Sequence, residues 1–322
     1  MAIITSTAAA FDNLSALPGT LASAASDSVS ISFAPLGVKL QSTLKLYGSF
    51  DAQGHAVSLT SGTYAPSDAP PVTLSFPSGT AALTLPAGGS LRVDELLQTL
   101  LAGDDWFTLS EGLDRIGAGA GDDYVSAGGG ADVIQGAGGN DVIAGGDGLD
   151  TALYAGARSR YAVAASGTGF TVTDQSGADG TDLLGGIERL QFSDARVALD
   201  LDGRAGQVVK ILGAVFGAKA VGNREFVSIG LRLMDEGMAY DALAALAVAA
   251  TGQSAPEDVV RLLWTNVVGS TPGAQDMQPF VDLLVQGTSI GQLTVLAADT
   301  PLNAANIDLV GLAKTGIEYL GA

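Results

Sequence analysis

The chain of 322 residues contains no cysteine and a single histidine, His55. Without cysteine there are no disulfides and no thiolate metal sites. One histidine cannot build a zinc protease motif, which needs several on or near one helix. Aromatic residues make up 6% of the chain and charged residues 15%, the latter well below the usual quarter. Positive charge is the scarcest: 15 Lys and Arg stand against 34 Asp and Glu, a formal net charge of −19. Nucleic acid therefore has no basic footprint to bind. No uninterrupted apolar run approaches the length of a membrane span. The opening MAIITSTAAAFDNLSALPG lacks a basic stretch and sets Asp12 close behind its apolar start, so a cleaved secretory signal is not expected.

Against these absences stands one regular feature. Asp105, Asp114, Asp123, Asp132, Asp141 and Asp150 recur every nine residues. Two places before each lies a glycine (Gly103, Gly112, Gly121, Gly130, Gly139, Gly148), and two places after comes an apolar residue (Phe107, Ile116, Val125, Ile134, Ile143, Ala152). Three positions locked in one phase over six units define an internal repeat of short strands and tight turns. Glycine lets six residues turn compactly, and three more form a minimal strand with its apolar side chain inward. Each unit is then half a coil, and units eighteen residues apart stack. Asp105, Asp123 and Asp141 line one side, and Asp114, Asp132 and Asp150 the other. Carboxylates one strand spacing apart, roughly 4.8 Å, repel unless a cation lies between them. Oxygen ligands at a flexible turn suit Ca²⁺ rather than Zn²⁺. Four intercoil sites are expected, at the pairs 105/123, 123/141, 114/132 and 132/150. Residues 103–150 hold nine aspartates and Glu111 against the lone Arg115, so nearly half of the net charge sits where a metal would neutralise it.

The stretch resembles the RTX parallel β-roll and its nonapeptide G-G-x-G-x-D-x-U-x. The best matches are GAGGNDVIA (136–144), AGGGADVIQ (127–135) and AGAGDDYVS (118–126), whereas LLAGDDWFT (100–108) and LSEGLDRIG (109–117) keep only the glycine, aspartate and apolar positions. The resemblance implies calcium as the ligand, and export by the type I secretion machinery through an uncleaved C-terminal signal, with GLAKTGIEYLGA as the compatible tail. An extracellular or cell-surface location follows from it.

Around the roll, the expected architecture is multidomain and mainly β, with an all-α C-terminal domain. Residues 1–27 form an Ala/Ser-rich arm. Residues 28–102 form an antiparallel β domain, with strands at SVSISF, VKLQSTLKLYGSF, HAVSL, PVTLSF and AALTL, ending in a short helix VDELLQTLL (93–101). The roll occupies 103–155 and a β-stranded cap 156–202. That cap, with TDLL and IERLQFSD near Thr181–Asp194, is similar to segments that follow RTX repeats. Residues 203–322 read as helices, loosely similar to helical domains found downstream of such repeats. Ser254 and Glu257 fit a capping box, and a last helix is expected around NIDLVGLAKTGIEYL.

Catalytic signals are few. Gly287-Thr288-Ser289-Ile290-Gly291 matches G-x-S-x-G, but the nucleophile elbow needs a strand before the serine. VDLLVQ reads as helix, so Ser289 is expected to be an N-cap. Trp106 is placed to point outward, and Trp264 is spaced with Val260 and Val268 for a core. The expected function is a non-enzymatic, calcium-binding structural protein that self-assembles outside the cell. The alternatives are an adhesin or glycan-binding module recognising cell-surface polysaccharide and, ranked third, an enzyme with an unfamiliar site in the helical domain. Assembly contacts are expected from the flanking domains, because the roll's outer face reads as glycine and short polar residues.

Overall fold

The computed structural model describes residues 103–109, 111–177 and 179–321, together with the backbone of seven strands within residues 1–92. It divides into two units, 1–193 and 194–322. The helix expected at 93–101, the strand AALTL and His55 lie outside the described residues.

The seven strands are β1 (Ile3–Thr5), β2 (Pro18–Ala24), β3 (Ser28–Phe33), β4 (Ser42–Phe50), β5 (Ala56–Ala65), β6 (Val72–Ser75) and β7 (Ser90–Arg92). They run in the antiparallel order β7-β2-β3-β4-β5-β6-β1. Two of them, β1 and β2, fall in the segment read as an arm, and β1 also pairs in parallel with the first roll strand, Ile3 opposite Trp106.

The roll follows the nine-residue phase. One sheet holds β8 (Trp106–Thr108), β10 (Tyr124–Gly130) and β12 (Val142–Gly148); the other holds β9 (Arg115–Ala120), β11 (Val133–Gly138) and β13 (Thr151–Leu153). All pairs are parallel and in register at eighteen residues, with Tyr124 opposite Trp106 and Val133 opposite Arg115. Residues two apart on extended backbone share a face, so each repeat aspartate points inward with its apolar partner. Phe107, Val125 and Ile134 are fully buried, and Ile116, Ile143 and Ala152 nearly so. Glycine is sterically required where the turns stack. At Gly139 φ is +129°, and an added Cβ would overlap the carbonyl oxygen of Gly121 in the coil before.

The roll runs one coil further than the repeat. After β13 the chain leaves to form a hairpin, β14 (Tyr161–Ser166) and β15 (Gly169–Asp174), then returns as β16 (Thr181–Gly185) and β17 (Arg189–Gln191). Strand β16 continues the first sheet with Leu183 opposite Val142, and β17 the second with Arg189 opposite Thr151. The hairpin pairs antiparallel with the other side of β16. Leu184 and Leu190 extend the core row.

The second unit contains α1 (Arg204–Phe216), α2 (Arg224–Asp235), α3 (Tyr240–Ala250), α4 (Pro256–Val268), α5 (Ala274–Val285), α6 (Ile290–Ala298), α7 (Pro301–Asn306) and α8 (Leu309–Thr315). Their apolar faces close one core around Val208, Val209, Leu231, Val259 and Leu293. Two expectations are corrected. Pro256 takes the first helical position of α4, which moves the N-cap to Ala255 with no side-chain bond, so Ser254 and Glu257 form no capping box. The unit is also not all-α. Gly316, at φ +76°, ends α8, and β19 (Ile317–Tyr319) pairs antiparallel with β18 (Arg196–Ala198), which is why this unit begins ahead of its first helix.

Candidate metal centre

The six repeat aspartates are brought together as two stacked rows, and every one is buried, Asp132 and Asp150 completely. The turn delivers each to the start of a strand, and backbone bonds hold the steps: Tyr124 N–H donates to the Asp105 carbonyl and Val142 N–H to that of Asp123, both within 2.9 Å. The carboxylates do not simply face one another. From the second coil on, one oxygen of each reaches back to the preceding coil. Asp123 Oδ1 accepts the Asp105 N–H at 2.8 Å, Asp141 Oδ1 the Asp123 N–H at 2.9 Å, Asp132 Oδ1 the Asp114 N–H at 2.7 Å and Asp150 Oδ1 the Asp132 N–H at 2.8 Å. The other oxygen, Oδ2 of Asp123, Asp132, Asp141 and Asp150, is buried without a hydrogen-bond partner.

An ionised oxygen left so is costly. Burial pushes the Asp123 carboxyl up to about 7 and that of Asp150 to about 6, from an ordinary 3.8; the backbone N–H each accepts pulls the other way, and neighbouring carboxylates add to the rise. Burial raises Asp132 and Asp141 in the same direction. An orphaned, buried, all-oxygen donor set beside a glycine-walled turn fits a hard divalent cation. Among the described residues no three His, Cys, Asp or Glu side chains converge on one point. Backbone carbonyls of the turns are further hard oxygens within the same stack.

Two acidic positions escaped the sequence reading. Asp182 Oδ1 accepts the Asp141 N–H at 3.1 Å, and Glu188 Oε2 accepts the Asp150 N–H at 2.8 Å, across sequence gaps of 41 and 38 residues. They occupy the aspartate positions of the last coil. Burial, opposed by the Asp141 N–H, pushes Asp182 up to about 7. Their signal was present: Gly180-Thr181-Asp182-Leu183-Leu184 and Gly186-Ile187-Glu188-Arg189-Leu190 keep glycine, acid and apolar residue in step, but the hairpin throws them out of the nine-residue phase. A second ladder also went unseen. Asp104 accepts the Asp122 N–H, Asp122 the Asn140 N–H, and Asn140 the Thr181 N–H, along the outside of one edge.

A family model, the RTX calcium-binding nonapeptide repeat (4 copies), matches residues 101–125 and 117–152. These are RTX repeats, and such repeats bind calcium. The model ends where the hairpin begins, one coil before the roll does. No curated protein matches the chain. Among solved structures, the extracellular lipase LipA from Serratia marcescens is similar at 32% identity, with a TM-score of 0.27, over 28% of this chain and 14% of the lipase. The chain thus covers about a seventh of that protein's length.

Ser289 caps α6: its Oγ accepts the Gln292 N–H at 3.1 Å, and Gln292 returns a bond to the Ser289 N–H. Trp264 is half-buried, edge-on to Phe280 at 6.1 Å, beside an apolar cavity of about 160 Å³ that Val260 and Val268 also line. Trp106 is 44% exposed and stacks on Tyr124 at 4.2 Å. Val142 and Leu183 continue that outward row. One outward row of this sheet is therefore apolar, against the expectation of glycine and short polar residues, because the position after each aspartate points out; the other row, Thr108, Ser126, Ala144 and Gly185, is small and short as expected.

Proposed function

We propose that this protein is a secreted, calcium-binding structural protein that folds and self-assembles outside the cell, with Asp105, Asp114, Asp123, Asp132, Asp141 and Asp150 as metal ligands. The observation that carries the reading is the buried carboxylates of Asp123, Asp132, Asp141 and Asp150, each with one oxygen unpartnered. A coil buries two carboxylates at several kcal/mol each, a cost that rivals the roughly 3–9 kcal/mol its two or three apolar side chains contribute. Calcium completes the core, and binding becomes folding. Extracellular modules bind calcium at about 10⁻⁴–10⁻³ M, so the roll stays open in the cytosol, suits passage through a type I exporter and closes outside. Removing residues 303–322 is expected to abolish export; normal secretion of the truncated chain would rule out the C-terminal signal.

Self-assembly is supported by the apolar side chains left on the surface. Val285, Val310 and Leu296 are more than half exposed in the helical unit, and Leu246, Leu302 and Leu320 nearly half. Ser289, the serine of the G-x-S-x-G match, is engaged as a helix cap. The row Trp106–Tyr124–Val142–Leu183 favours a second reading, a module docking polysaccharide. Electron microscopy and light scattering of the full chain separate the two. Large ordered assemblies in millimolar calcium support the structural role. A monomer at high concentration that binds polysaccharide replaces it with the second reading.

A further inference from the structure

Down the first edge of the roll, Asp123 and Asp141 each give Oδ1 to the backbone of the coil before and keep Oδ2 buried without a partner. Asp182 breaks the series. Its Oδ1 accepts the Asp141 N–H as the pattern demands, but its Oδ2 accepts the hydroxyl of Tyr154 at 2.9 Å. The phenol is fixed in place. Its ring lies 5.0 Å from that of Tyr161 and 5.4 Å from that of Phe192, and its N–H donates to the Gln191 carbonyl at 2.8 Å. Tyr154 is 8% exposed, so turning it away would unpack three aromatic rings.

A hydroxyl proton directed at Oδ2 fills the approach that a cation would use, and gives the oxygen the partner its counterparts lack. We infer that calcium binding on this edge stops at Asp141 and that Tyr154 closes the last coil at Asp182 in place of the ion. This rests on the assignment of Asp123 and Asp141 as calcium ligands. The surrounding backbone agrees with it. Beyond β16 there is no further coil; β15 and β14 follow, antiparallel, and their hydrogen bonds owe nothing to a metal turn. Asp174 secures the hairpin end by accepting the Ser176 and Asp179 N–H groups and Arg160 at 3.0 Å. The hairpin and last coil thus form a piece whose buried acid at Asp182 is satisfied by protein alone.

The test is hydrogen exchange and calcium counting on the full chain. In metal-stripped protein at neutral pH, amides of 161–174 and 181–184 should exchange at least about tenfold more slowly than those of 123–144, and millimolar calcium should protect 123–144. Asp182→Asn should bind as many calcium ions as the parent. Tyr154→Phe should lose the metal-free protection at 181–184. A drop of one calcium ion in Asp182→Asn, or fast metal-free exchange at 181–184 in the parent, overturns the inference. Failure of calcium to protect 123–144 would instead strike the assignment of the repeat aspartates, so the two ideas fail separately.

Discussion

Stripped of metal, this protein should gain β-roll structure as the pH falls. The repeat carboxyls are raised in the folded state, Asp123 to about 7 and Asp150 to about 6, against 3.8. A raised value means that protonation favours folding. The contribution is complete below 3.8 and is lost as the pH climbs through 6 and 7. At 1.36 kcal/mol for each tenfold in proton affinity, that is about 4 kcal/mol for Asp123 and about 3 kcal/mol for Asp150. The sum rivals the whole stability of a small domain, about 5–15 kcal/mol. Metal-free roll is therefore expected to be folded near about pH 5 and open near about pH 8, the reverse of ordinary acid unfolding. Calcium needs the ionised carboxylates, so adding it at about pH 6 should release roughly one to two protons per chain, and almost none above about pH 8. Circular dichroism against pH on metal-stripped protein, with potentiometry in unbuffered solution, reads both. A metal-free β signal that stays flat or grows between pH 5 and 8 would refute the burial argument.

Three further outcomes are expected. Gly139→Ala forces a Cβ into the Gly121 carbonyl at φ +129° and should cost about 2–4 kcal/mol in the calcium-loaded protein, whereas Gly117→Ala, with open space around it, should stay within about 0.5 kcal/mol by chemical denaturation. Asp132→Ala removes both the acceptor of the Asp114 N–H and an oxygen for two neighbouring sites, so calorimetry should count one to two fewer calcium ions per chain, roughly. Ser289→Ala should cost about 1 kcal/mol as a lost helix cap; loss of ester turnover in this variant would overturn the N-cap reading.

The roll was legible because its constraint is steric and strictly periodic. Every ninth aspartate must face in, every glycine before it must clear a carbonyl, and neither position tolerates drift. The last coil was hidden by a change of spacing alone: its glycine, acid and apolar positions persist at Gly180, Asp182 and Leu184, but a hairpin separates them from Asp141. Hydrogen bonds left no mark at all. The Oδ1 bonds recur at a spacing of eighteen residues, but the repeat marks the acid and not the N–H it serves, and Tyr154 answers Asp182 through a pair with no spacing to read. Helices α1 to α6 were readable from their apolar period. Helix ends were set by single residues that outrank propensity, Pro256 at the start of α4 and Gly316 at the stop of α8, and β19 forms because its partner lies far earlier in the chain, at Val197 and Ala198.

Because each turn of the roll is a translated copy of the one before, its length is counted in whole turns. Removing eighteen residues at any point within 105–150 would shorten it by one turn and leave every later residue on its own sheet. Removing nine would send each later strand to the opposite sheet, carrying Val142 and Leu183 away from the side that holds Trp106. The hairpin shows the complementary freedom. It leaves the second sheet after Leu153 and returns at Thr181 in the first, beside β12, where the next coil belongs, so its own length never enters the count. Foreign sequence placed at its Gly167 tip should likewise leave the turns above and below unaware of it.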